Sequence, residues 1–195
     1  VYPHKNMDEL RKLLEGAQGK YRRILVITDG VFSMDGDIAP MDKIAHLCRE
    51  FNAISYVDDA HGDGVLGNGI GIVHHFHLEG KWDIEMGTFS KAFGVVEGYV
   101  SGTEALREFA YNKSRTWLLS GSAPPATAAA CMASLDVVKN EPRHVKKLWK
   151  NTNYWKKGLK RLGFDTGVSE TPIVPVMLGD SAIAQKFSVR LMEEG

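Results

Sequence analysis

The sequence is short of cysteine, carries no excess of either charge and has no long apolar run. Its two cysteines, Cys48 and Cys131, stand far apart in segments that read as helical. That spacing excludes a disulfide framework and makes a reducing cytoplasm the expected compartment. The 24 basic side chains are balanced by 24 acidic ones, whereas a dedicated nucleic-acid binder carries a basic excess. No apolar stretch approaches the roughly 20 residues of a membrane helix, so no membrane partner is expected. His74, His75 and His77 crowd one segment, but no Cys-x-x-Cys or His-Glu-x-x-His spacing accompanies them, and no metal site is expected. The opening Val1-Tyr2-Pro3-His4-Lys5 is polar and does not read as a signal peptide. The chain begins without methionine and stops where a helix would hand over to a strand, so it reads as a piece of something longer.

What is present suits one domain, or one domain and part of a second. At 195 residues, 44% of them hydrophobic, the chain can bury a real core. Leu10, Leu13 and Leu14 predict a helix over Asp8 to Gly19. The continuous apolar run from Arg23 to Thr28 predicts a parallel strand buried on both faces. A helix follows from Pro40 to about Phe51, then strands over Ala53–Val57 and Asp83–Gly87, with a further strand over Val95–Ser101. Thr103 caps a helix running to about Asn112. An Ala-rich helix over Pro124–Val138 is expected to pack closely on a neighbour. A basic amphipathic helix spans about Glu141 to Leu162, followed by a strand over Ile173–Leu178 and a helix over Ser181–Glu194. Strands alternating with helices predict an α/β fold with a mainly parallel sheet. A boundary is expected within 145–160, with 1–150 belonging to a large domain and 151–195 opening a smaller one.

Chemistry concentrates just after the predicted strands, where open α/β sheets bind ligands. Three segments stand out: Asp29-Gly30-Val31-Phe32-Ser33-Met34-Asp35-Gly36-Asp37, Val57-Asp58-Asp59-Ala60-His61-Gly62 and Thr88-Phe89-Ser90-Lys91-Ala92-Phe93-Gly94. Ser33 and Thr88 offer hydroxyl donors, Asp58 a carboxylate and His61 an imidazole. Lys91 offers an amine, which is nucleophilic only when neutral, so burial or a neighbouring charge must favour that form. Asp59 reads as a carboxylate capping the turn that follows its strand. Gly67-Asn68-Gly69-Ile70-Gly71 is not Gly-x-Gly-x-x-Gly and reads as a plain connection. The lysines between Arg143 and Arg161 read as a solvated helix face.

In this order and register the three segments resemble the α-oxoamine synthases, a fold-type-I family dependent on pyridoxal 5'-phosphate (PLP). The resemblance covers nearly the whole chain, and family members are about twice as long. It implies part of the PLP-binding large domain and the start of the small α/β C-terminal domain. It implies Lys91 as the covalent anchor and α-proton base, Asp58 as the partner of the pyridine nitrogen and His61 as a contact to the phenolic oxygen. Those three are the catalytic candidates. Ser33, Thr88 and Ser120 are implied as further cofactor-binding residues, Ser120 donated to the phosphate across a homodimer with a shared site. The implied substrates are glycine or another small amino acid and an acyl-CoA. Residues 74–94 look most like glycine C-acetyltransferase, which condenses glycine with acetyl-CoA. The alternative within the family is 8-amino-7-oxononanoate synthase, using alanine and pimeloyl-CoA. A non-catalytic dimerisation module with an eroded site is the reading from another class. Departures from the family pattern are Ile70 in place of arginine, Leu119-Ser120-Gly121-Ser122 in place of Phe-Ser-Thr or Phe-Ser-Asn, and Glu97 in place of glycine.

Overall fold

The computed structural model describes all residues, 1–195. Four strands form one sheet in the order β1 (Leu25–Asp29), β2 (Ile54–Asp58), β3 (Ile84–Thr88), β4 (Gly98–Gly102). The first three run parallel, and β4 returns antiparallel to β3. The helices are α1 (Met7–Ala17), α2 (Met41–Glu50), α3 (Ile72–His75), α4 (Glu104–Lys113), α5 (Arg115–Leu118), α6 (Pro125–Asn140), α7 (Arg143–Arg161) and α8 (Ser181–Glu194). This mixed, mostly parallel sheet with flanking helices is the α/β architecture expected from the alternation of elements.

Local chemistry explains the boundaries. Asn6 caps α1 by accepting from the Glu9 amide at 3.0 Å, and Thr103 caps α4 by accepting from the Leu106 amide. Asp180 does the same for α8 at the Ile183 amide. Leu10 and Leu14 of α1 and Ile44, Leu47 and Cys48 of α2 pack with Val26 of β1 and Val57 of β2 in one core. Ser55 and Asp83 lock β2 to the start of β3: Asp83 Oδ2 accepts from the Ser55 amide at 2.8 Å and from its hydroxyl at 2.7 Å.

Four expectations need correction. β1 is buried on one face only; Leu25 and Ile27 are 49% and 59% exposed, because α1 and α2 cover one side of the sheet. The Ala-rich α6 buries none of its residues; its close contacts fall at the C-terminal end, where Val138 approaches Gly69. Residues 173–178 form no strand: with no neighbour to pair along their length, they make one bridge, Met177 to Asp165. The turn after β2 is capped by Asp58, whose Oδ1 accepts from the Ala60 amide at 2.9 Å, and not by Asp59.

The C-terminal residues fold back on the first segment. α7 runs unbroken through 145–160 and buries Val145, Thr152 and Leu159 at heptad spacing. Trp149 Nε1 donates to the Val65 carbonyl at 3.1 Å. Thr171 Oγ1 donates to the Gly36 carbonyl at 2.9 Å. Gly36 is required there: its φ is +68°, and a Cβ would sit 2.8 Å from the Ile173 carbonyl oxygen.

Candidate active site

The parallel strands deliver their last residues to one edge. Asp29 ends β1 and lies opposite Asp58, the end of β2, in the parallel register. Asp58 in turn lies opposite Met86, two residues before Thr88 at the end of β3. His61 follows on the turn out of β2, and Lys91 on the turn between β3 and β4.

These groups feel one another's charge. Asp29 is raised above the ordinary carboxylate range first by burial and then by Asp58, while His61 and Lys91 oppose the shift. His61 is pushed down first by burial and then by Lys91, with Asp58 and Asp29 opposing. Asp29, Asp58, His61 and Lys91 therefore form one electrostatic cluster. Asp29 is a member that the sequence motifs alone do not single out. Its signal was position: it is the final residue of a strand whose neighbour ends in Asp58.

The turn bearing Lys91 is tied from below. The Glu97 carbonyl accepts from Thr88 Oγ1 at 3.0 Å and from the Phe89 amide at 2.9 Å. The Val95 amide donates to the Phe89 carbonyl at 2.8 Å. Thr88 Oγ1 also lies 2.7 Å from Ser90 Oγ, so this hydroxyl serves the turn itself. Lys91 is exposed and has no carboxylate within 4.0 Å. Ser33 is exposed on the turn closed by the Gly36 amide and the Phe32 carbonyl, and its hydroxyl bonds no group of the chain. Ser120 lies beyond α5, exposed, with its Oγ accepting from the Ser122 amide at 3.2 Å. The structure thus assembles Asp58, His61 and Lys91, and places Thr88 at the root of the lysine turn. Neither Ser33 nor Ser120 makes a contact with that cluster.

Cys48, the buried thiol nearest the core, is not a competing nucleophile. Burial, aided by Asp83, pushes it up to about 12. The arrangement fits a cofactor with an aldehyde and a basic ring nitrogen. It presents an amine free of ion pairs, a carboxylate with one oxygen held by the Ala60 amide and the other unbonded, and an imidazole sensing both charges.

Glu97 carries its departure from glycine in the backbone. Its φ is +142°, a region that side chains avoid, while its carboxylate is exposed to solvent. Strain of this kind costs on the order of 1–3 kcal/mol, and glycine returns part of that through the unfolded chain's entropy. Glu97→Gly is expected to stabilise the protein by about 1 kcal/mol. The urea midpoint measures it, and an unchanged or lower midpoint would sink the account.

The chain matches the class I and II aminotransferase family model over residues 1–195 and belongs to that family. Within the family its relatives are α-oxoamine synthases. It is 52% identical to the 8-amino-7-oxononanoate synthase of Symbiobacterium thermophilum, over 100% of this chain and 50% of that protein. It superposes on a serine palmitoyltransferase from S. paucimobilis, solved with PLP and myriocin bound, with a TM-score of 0.86. Identity there is 34%, over 93% of this chain and 47% of that one. The 8-amino-7-oxononanoate synthase of Francisella tularensis gives 0.83 at 26% identity, over 99% and 56% of the two chains. The chain spans about half the length of the curated relatives it matches. No helix is long and apolar enough to cross a membrane.

Proposed function

We propose that this chain is the Lys91-bearing part of a PLP-dependent α-oxoamine synthase making 8-amino-7-oxononanoate. The observation that carries the reading is 52% identity over the whole chain to a synthase of that name, with the Asp58–His61–Lys91 cluster at the strand ends. It takes the place of the glycine C-acetyltransferase reading, which rests on residues 74–94 alone. Residues 1–150 are read as part of the PLP-binding large domain and 151–195 as the start of the small one.

PLP, when bound, supplies an aldehyde that captures amines and a cationic ring that delocalises negative charge. Lys91 would hold it covalently, Asp58 would face its ring nitrogen and His61 its phenolic oxygen. Ser33 would add a hydroxyl contact, Thr88 would hold the lysine turn from its root and reach the cofactor only by giving up its bond to the Glu97 carbonyl, and Ser120 would reach the phosphate from a second subunit. Asp58 keeps its charge aimed by giving one oxygen to the Ala60 amide and leaving the other free. His61, pressed toward neutrality by burial and by Lys91, is suited to a hydrogen bond rather than an ion pair. Once the amino acid's own amine takes its place on the cofactor, the freed Lys91 Nζ would take the proton from the amino acid's α-carbon, readying that carbon to attack a thioester.

The product name dictates the substrates. An amine at C8 beside a C9 methyl is alanine without its carboxylate, and C1–C7 is a pimeloyl group. Condensation with pimeloyl-CoA therefore releases both CoA and carbon dioxide. Glycine with acetyl-CoA would give 2-amino-3-oxobutyrate and CoA, with the carboxylate retained. On the full-length polypeptide, alanine with pimeloyl-CoA is expected to release CoA and carbon dioxide in equal amounts, at least tenfold faster than glycine with acetyl-CoA releases CoA. A reversed preference, or CoA without carbon dioxide, would restore the acetyltransferase reading. The 195 residues alone are expected to turn over neither pair.

A further inference from the structure

Beneath the candidate site lie two buried carboxyls that the chemistry above does not use. Asp59 and Asp63 are 3% and 6% exposed. Asp59 Oδ2 accepts from the Ile72 amide at 2.7 Å, while its Oδ1 is buried and lacks a conventional partner. Tyr99 of β4 donates its hydroxyl to Asp63 Oδ2 at 2.5 Å. The two carboxyls also crowd one point of the backbone: a Cβ on Gly71 would lie 2.6 Å from Asp59 Oδ2 and 2.9 Å from Asp63 Oδ1. An ionised carboxylate only accepts hydrogen bonds, so two of them meet only if one retains a proton. The backbone is cut back to admit them. A Cβ on Gly62 would lie 2.0 Å from Asp59 Oδ1, one on Gly71 2.6 Å from Asp59 Oδ2, and one on Gly87 1.9 Å from Asp63 Oδ2.

The location gives the pair a task. Asp59 follows Asp58, and Asp63 lies two residues after His61. Tyr99 packs against Phe89 with ring centroids 5.6 Å apart, and Phe89 against Phe93 at 5.2 Å, both pairs tilted, so these rings bracket the Lys91 turn. We propose that Asp59, Asp63 and Tyr99 form a positioning unit in which one proton shared by the two aspartates clamps the Asp58–His61 turn to the Lys91 turn. Its relevance to catalysis rests on the reading of that cluster as the active site; the clamp itself does not.

Electrostatics supply a pH dependence. Burial, with Asp63 and Glu85 reinforcing and the Ile72 amide opposing, pushes Asp59 up to about 8. Burial also raises Asp63, helped by Asp58 and opposed by Tyr99 and Asp59. The charges reaching the pair from β2 and β3, Asp58 and Glu85, are both acidic, and from β4 Tyr99 stays a protonated donor because burial and Asp63 raise it. Asp59 thus has a folded value above its unfolded one of about 3.9. Its contribution to stability is complete below the unfolded value and lost as pH rises through about 8.

The test compares wild type with Asp59→Asn, Asp59→Ala and Tyr99→Phe. It reads unfolding midpoints from pH 4 to 9 and amide exchange at Phe89 and Val95. Wild-type stability is expected to fall across that range, and Asp59→Asn, a permanently neutral mimic, to flatten the profile. At pH 6, Asp59→Ala should speed exchange at Phe89 and Val95 at least tenfold while Asp59→Asn restores protection. Tyr99→Phe, which keeps the ring packing but leaves Asp63 without its donor, should move the transition to higher pH. A wild-type profile that does not fall, or one identical in Asp59→Asn, overturns the shared proton. Equal exchange in all variants overturns the clamp. None of these readouts needs cofactor, so they stand apart from failure of the Lys91 assignment, which shows as absent cofactor trapping.

Discussion

Lys91→Ala is expected to abolish covalent trapping of PLP by borohydride. In the full-length enzyme it should cut turnover by at least about 10²–10⁴-fold, the usual worth of one positioned proton-transfer group. The expectation is large because Lys91 is the single amine in a cluster otherwise made of Asp29, Asp58 and His61. Stability should move by less than about 0.5 kcal/mol, since the side chain is exposed and without an ion-pair partner. Peptide mapping after reduction should place the wild-type adduct on Lys91 in preference to the surface lysines of α7. Wild-type adducts scattered over those lysines, or an undiminished adduct in the variant, would refute the assignment. A second readout needs no cofactor. Burial and then Lys91 hold His61 down, so Lys91→Ala should let His61 titrate at higher pH, while Lys91→Arg, which keeps the charge, should leave it in place. The imidazole resonances in an NMR titration measure this directly.

Asp58, His61 and Lys91 stand out in the sequence, and Asp29 does not, although all four are local to strand ends. Each lies within four residues of a strand end, and strand ends are marked by apolar runs giving way to Asp, Thr and Gly. Caps were legible for the same reason: Thr103 is a short-range hydrogen-bonding device. What escaped depends on distant partners. A run such as Leu25–Thr28 looks the same whether one face or both are covered, and only the placement of α1 and α2 decides it. The strand expected at 173–178 has the composition of a strand, but pairing needs a neighbour. In sequence Asp59 resembles a local cap, because it follows Asp58 at a strand end and precedes a turn. Its burial comes from Ile72, Gly62 and Gly71, and the Tyr99 hydroxyl that holds its neighbour Asp63 comes from β4, 36 residues beyond Asp63. Polar groups whose role is set by burial carry no periodic signal. The glycines surrounding them do leave a trace, although in the sequence they resemble a plain loop.

Ile72→Ala should be the most damaging of the simple truncations near the site. Ile72 is 0% exposed and belongs to the main core. Its side chain lies against Gly30, the first residue after β1, where an added Cβ would meet Ile72 Cδ1 at 2.9 Å. Its amide donates to Asp59. Removing the side chain leaves a cavity between the β1 exit and the carboxyl pair, and truncation of a buried isoleucine costs about 2–5 kcal/mol. That is a large share of a typical domain's stability of about 5–15 kcal/mol. The control lies two residues away. Ile70 has the same side chain but is 64% exposed, so Ile70→Ala should stay within about 0.5 kcal/mol. Paired urea titrations settle the comparison, and equal losses for the two variants would contradict the packing described. The amide of residue 72 remains in Ile72→Ala, so any change in the pH dependence of stability beyond wild type would come from water reaching Asp59 through the cavity. Water there would relieve the burial that raises Asp59, moving the pH transition downward toward the ordinary carboxylate range. A larger loss of stability and a lower transition pH, together in one variant, would tie the core beneath the site to the proton held within it.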